Sequence, residues 1–147
     1  WELFTDYSVI CNGAFLSLPM KLFQAMAPDP TTHDVSMLEL VTLLILWCDG
    51  ALDDRMTLLY WVYTGDRLAK PRPMNVDGVG EILHALYGVC FKLGITNVVP
   101  DREYQRALAI ESLELADSNR DSLLTTDEFI PWAINSMRSQ RLILPFM

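Results

Sequence analysis

Side-chain oxygens recur at alternate places along one short stretch, Asp117-Ser118-Asn119-Arg120-Asp121-Ser122-Leu123-Leu124-Thr125-Thr126-Asp127-Glu128. With Asp117 as the first place, they occupy the first, third, fifth, ninth and twelfth, in Asp117, Asn119, Asp121, Thr125 and Glu128. A tightly wound loop with that alternation aims one oxygen after another at a common centre. Leu123, at the seventh place, can add its backbone carbonyl, and Glu128 can close the shell with both carboxylate oxygens. This serves coordination of a hard cation that takes about six to eight oxygens, calcium above all, with magnesium the alternative occupant at rest. The three carboxylates of Asp117, Asp121 and Glu128 repel one another in an empty loop, and a divalent cation relieves that repulsion.

The stretch resembles the calcium loop of the EF-hand family, and only this motif of the chain is specific to that family. It departs at the sixth place, where Ser122 stands in the position of the family's usual glycine. That turn needs a positive φ, which a residue with a Cβ adopts at a cost of about 1–2 kcal/mol. A single site, weaker than an ideal one, is expected. The plainer reading is an acidic, solvated loop that merely caps a helix.

Helical elements must position such a loop. A helix beginning near Arg102, capped by Asp101, displays Tyr104, Leu108, Ile110, Leu113 and Leu115 and runs directly into Asp117. After the loop, Phe129, Ile130, Trp132, Ala133, Ile134 and Met137 form an exiting helix, with Pro131 tolerable because it falls in the first turns. Upstream, helices are expected over Trp1–Ile10, from about Leu18 to Met26, from Met37 to Cys48, from Leu52 to Tyr63 and from about Val79 to Leu93. The Leu40–Trp47 run is apolar nearly all round, so it is buried or covered by a partner.

The order apolar helix, Gly50, then a helix carrying Leu58, Leu59, Trp61 and Tyr63 looks like the centre of the neuronal calcium sensor and calcineurin B-like group. The resemblance spans most of residues 28–147. It implies an all-α array of EF-hands with one intact loop at 117–128, divided into residues 1–50, a degenerate N-terminal region, and 51–147, a C-terminal pair with an apolar tail. The 28–39 stretch has Glu39 at a twelfth place but Pro28 and Pro30 where carboxylates belong. The 64–78 stretch has Pro71, Pro73 and only Asp66 and Asp77. Neither is expected to take calcium. The second is expected to steady its intact neighbour through a short antiparallel bridge from Leu124 to about Met74 or Val76.

At 147 residues and 51% hydrophobic, the chain is long and apolar enough to bury a core. Its net charge of −8 opposes nucleic acid and anionic membranes and suits a cation binder or a partner for basic segments. Cys11, Cys48 and Cys90 fit neither a disulfide framework nor a zinc spacing, so reduced thiols in a cytoplasmic protein are expected. No signal peptide or membrane-spanning run is evident, and the start at Trp1 leads one to expect a fragment or trimmed domain. His33 and His84 have no catalytic context, and no nucleophile–base pair or phosphate-cradling loop is visible, so an enzyme is not expected.

The function expected is a calcium-binding interaction module that holds an amphipathic helix of a partner, or of its parent chain, in an apolar groove. Candidate groove residues are Leu43, Leu44, Trp47, Trp61, Phe91, Trp132 and Met137. The alternative is a regulatory or scaffolding domain of a larger enzyme with a mainly structural calcium site.

Overall fold

The computed structural model describes residues 24, 26, 27, 35–65 and 72–139. Five helices occur among them: α1 (Met37–Trp47), α2 (Leu52–Thr64), α3 (Val76–Lys92), α4 (Arg102–Ala116) and α5 (Thr126–Ser139). The one extended pairing among these residues is an isolated antiparallel bridge between Met74 and Leu124. The described chain is therefore all-helical. The helix expected over Trp1–Ile10 and most of the 28–39 stretch lie outside the described residues, as do residues 66–71 and the apolar tail from residue 140. Of the Leu18–Met26 helix only Gln24 and Met26 are described, both helical.

Three of the helices start where a side chain satisfies an orphan amide. The Ser36 Oγ accepts from the Glu39 amide at the head of α1, and Asn75 and Asp101 do the same for the Gly78 and Tyr104 amides in α3 and α4. Ala51 gives α2 no side-chain cap, but Asp53 and Asp54 in its first turn complement the helix dipole. Gly65 ends α2 in the left-handed region at φ 75°, its N–H returned to the Trp61 carbonyl. The Asn75 cap moves the start of α3 three residues ahead of the Val79 expected. Gly78 in that first turn leaves room for the Met74 side chain, whose Cγ would stand 2.6 Å from a Cβ there.

Helix α3 is central, packing on α4, α1 and α2, while α2 also packs on α5. The main core runs through all five helices: Ile45 and Leu46 of α1, Met56, Leu59 and Tyr60 of α2, Ile82, Leu83, Leu86 and Cys90 of α3, Ala109 of α4, and Phe129, Trp132 and Ala133 of α5. Met74 and Leu124, the two bridge residues, sit in the same core. A smaller cluster joins Met26, Leu43 and Val89.

Helix α4 follows its expected orientation in part. Leu108 and Leu113 pack against the core, while Tyr104, Ile110 and Leu115 are exposed and the most buried residues are Gln105, Ala109 and Ser112. Small and polar side chains at that spacing let α3 approach closely, with Gly80 facing the Ala109 methyl. Gln105 is satisfied on both sides, donating to the Pro100 carbonyl at 2.7 Å and lying 3.1 Å from His84 Nδ1. The histidine is thus part of a helix–helix polar contact.

Another buried polar contact ties α1 to α3. Glu39, placed above at the twelfth position of a ruined loop, is 7% exposed and ion-paired with Lys92. Its carboxylate lies directly over Gly88, one turn before Lys92, where any Cβ would overlap its Oε1.

Candidate functional site

The 117–128 stretch connects α4 to α5, beginning at the C-cap of one helix and ending in the first turn of the next. Its side chains fold inward onto the loop's own amides. The Asp117 Oδ1 accepts from the amides of Arg120 at 2.6 Å and Asp121 at 3.3 Å, and Oδ2 accepts from Ser122 at 2.7 Å. Asn119 Oδ1 accepts from the same Asp121 amide at 2.9 Å, and Asp121 Oδ1 accepts from Leu123 at 2.9 Å. Asn119 Nδ2 donates to Asp121 Oδ2 at 3.0 Å. The side chains of the first, third and fifth places therefore converge.

Wrapping the chain around Asp117 forces two residues into the left-handed region. Ser122 has φ 64°, in the turn where a positive value was expected, and Arg120 has φ 61°. Nothing about an arginine announces such a conformation. It follows from one carboxylate drawing in the amides at the fourth, fifth and sixth places together.

The ninth and twelfth places form a second group. Glu128 Oε2 accepts from the Thr125 amide at 3.0 Å and the Thr125 hydroxyl at 2.8 Å, one half of a capping box at the head of α5. Oε1 accepts from the Ser118 hydroxyl at 2.7 Å and the Ser118 amide at 3.0 Å. The Ser118 hydroxyl, then the Thr125 amide and hydroxyl, hold the Glu128 carboxyl from an ordinary 4.5 down to about 2. With the carboxylates so engaged, no three carboxylate, imidazole or thiol groups stand together in a metal-holding cluster among the described residues.

The donor set is all oxygen and suits a hard cation. Asp117, Asn119, Asp121, Thr125, Glu128 and the Leu123 carbonyl would hold it, once Glu128 turns from Ser118 and Thr125 toward the first group. The Met74–Leu124 bridge, with N···O distances of 2.8 and 2.7 Å, anchors the loop's eighth place. Asp77, in the preceding stretch, instead lies 3.6 Å from Arg106 on the surface.

The candidate groove residues divide. Leu44, Trp47, Trp61 and Phe91 are each about half exposed. Leu43 and Trp132 are not on the surface: Leu43 is fully buried against Met26 and Val89, and Trp132 packs on Phe129 at 5.5 Å between ring centroids. A helix apolar nearly all round, such as α1, gives little sign of which side faces inward, which explains Leu43. Trp132 shares an i, i+3, i+4 stripe with Phe129 and Ala133, a signal that was present. Its indole N–H is buried without a hydrogen-bond partner. Met137 lies in α5, but its side chain is outside the described residues.

The exposed apolar set extends beyond those residues, to Met37 and Leu38 on α1 and Leu58 on α2. Exposed carboxylates Asp49, Asp53 and Asp54 stand at the turn that joins the two helices. Between residues 35 and 65 the sole cation is Arg55, whose Nη1 donates to the Leu46 carbonyl at 2.7 Å. No described helix is long and apolar enough to cross a membrane.

Compared with known proteins, the chain matches no family model, no curated protein and no solved structure.

Proposed function

We propose that the chain is a calcium-binding module of EF-hand type that holds an amphipathic helix, basic at one end, against the apolar face of α1 and α2. The observation that carries the cation reading is the convergence of Asp117, Asn119 and Asp121 over a left-handed turn at Ser122. The bridge from the eighth place to Met74 supports it, because paired loops of this type lie side by side. The partner reading rests on charge. Leu44, Trp47, Leu58 and Trp61 offer apolar contacts, and Asp49, Asp53 and Asp54 beside them complement a cationic helix end.

Loading the loop draws Glu128 from its cap toward the cation and so moves the head of α5. Movement of α5 also gives the orphaned Trp132 indole N–H, which costs about 1–3 kcal/mol where it now lies, a chance to find a partner. The Glu128 contacts favour a second reading as well. A loop whose closing glutamate is held by four internal hydrogen bonds suits a mainly structural site in a regulatory or scaffolding domain of a larger enzyme.

Calorimetric titration of calcium into the metal-free chain and its Glu128→Gln variant tests the cation reading. One site in the wild type, lost in the variant, is expected; equal heats in both contradict it. A basic amphipathic peptide added with calcium and then with chelator separates the two functions. Calcium-dependent binding that Trp61→Glu abolishes marks an interaction module, and no binding in either condition leaves the structural role.

A further inference from the structure

Tyr60 of α2 is 1% exposed, and a buried phenol needs a hydrogen-bond acceptor. Its acceptors lie far along the chain. The hydroxyl stands 2.8 Å from the Leu124 carbonyl and 2.9 Å from that of Arg72, so its single proton serves either. The Leu124 carbonyl is also the acceptor of the Met74 amide, one of the two hydrogen bonds of the bridge. The Tyr60 ring packs on Phe129 at 5.3 Å between centroids, tilted by 53°. One side chain on α2 thus touches the segment before Met74, the loop's eighth residue and the first turn of α5.

Packing alone does not need the hydroxyl, since phenylalanine would fill the same space. What the hydroxyl adds is a hold on the peptide group between Leu124 and Thr125. The ligands of the seventh and ninth places, the Leu123 carbonyl and Thr125, flank the residue so held. We propose that the Tyr60 hydroxyl is a positioning group that presets the 117–128 loop for its cation, a role that rests on the cation reading above. Fixing ligands before binding lowers the ordering cost of association.

Tyr63 supplies the control. Its hydroxyl lies 2.9 Å from Thr42 Oγ1, joining α2 to α1 rather than to the loop. Tyr60→Phe and Tyr63→Phe each remove one phenolic hydroxyl from the same helix, that of Tyr63 only partly buried. Calcium is titrated calorimetrically into the full chain and both variants, with thermal unfolding and amide hydrogen exchange measured on each. Tyr60→Phe is expected to weaken calcium binding by about three- to tenfold, the range one buried hydrogen bond spans, and Tyr63→Phe by less than about twofold. Exchange at the Leu124 amide is expected to quicken in Tyr60→Phe alone. Unchanged affinity in Tyr60→Phe, or equal weakening in both variants, overturns the proposal. A wild-type chain that takes up no calcium removes the cation reading, and this role with it.

Discussion

Ser122 and Arg120 carry the strain of the loop. Both sit near φ 60°, where a Cβ costs about 1–2 kcal/mol, and both are held there by the Asp117 carboxylate. Replacing Ser122 with glycine removes that strain but frees the unfolded chain by about 0.4–1 kcal/mol, so a net gain of about 0.5–1 kcal/mol is expected. Urea denaturation measures the gain, and calcium affinity should rise with it; an unchanged midpoint would mean the turn relaxes elsewhere. The Ser122 conformation was legible in the sequence because its place in the oxygen pattern demands a tight turn. That of Arg120 was not, because it depends on where three amides point once Asp117 is capped over them.

At the scale of elements, the head of α5 shows how one carboxylate serves two ends. Glu128 now caps the helix and braces Ser118, and its folded carboxyl titrates near 2 against an ordinary 4.5. A depressed folded pKa gives stability that is complete above about 4.5 and fades as pH falls toward about 2. Acid titration followed by NMR is expected to find Glu128 protonating well below an ordinary glutamate. Because the group faces solvent, the effect on global stability is small. Glu128→Gln should keep the cap, since glutamine serves at that position, and leave the helical circular dichroism unchanged. Helix existence was legible from caps and spacing, and α1, α2 and α4 begin where Met37, Leu52 and Arg102 led one to expect. The first residues of α3 and α5 were less so, because Gly78 and Pro131 disguise helical turns that Asn75 and Thr125 start. Which face of α4 turns inward was legible only in part: Leu108 and Leu113 pack against the core, but the most buried side chains are Gln105, Ala109 and Ser112.

For the whole molecule, the join between α1 and the central α3 rests on Glu39, Gly88 and Lys92, three residues that sequence patterning does not connect. Glycine at 88 admits the carboxylate, and Lys92 neutralises it one turn on. Gly88→Ala is expected to cost about 1–3 kcal/mol in a denaturant titration, through forced displacement of Glu39. Lys92→Met leaves the largely buried carboxylate unpaired and should cost up to about 3 kcal/mol. A loss below a few tenths in both would show that α1 is held by apolar packing alone. That join fixes α1, which carries the exposed Leu44 and Trp47, on α3.

The central claim is that the 117–128 loop takes one divalent cation. A calcium titration of the isotopically labelled chain, followed by amide NMR, tests it residue by residue. The predicted result is saturation at one equivalent, with the largest shifts at Ser122, Leu123 and Glu128 and a smaller set at Met74 and Leu124 across the bridge. Shifts scattered over Asp53, Asp54, Glu111 and the loop alike, without saturation, would contradict it and leave 117–128 as a solvated cap.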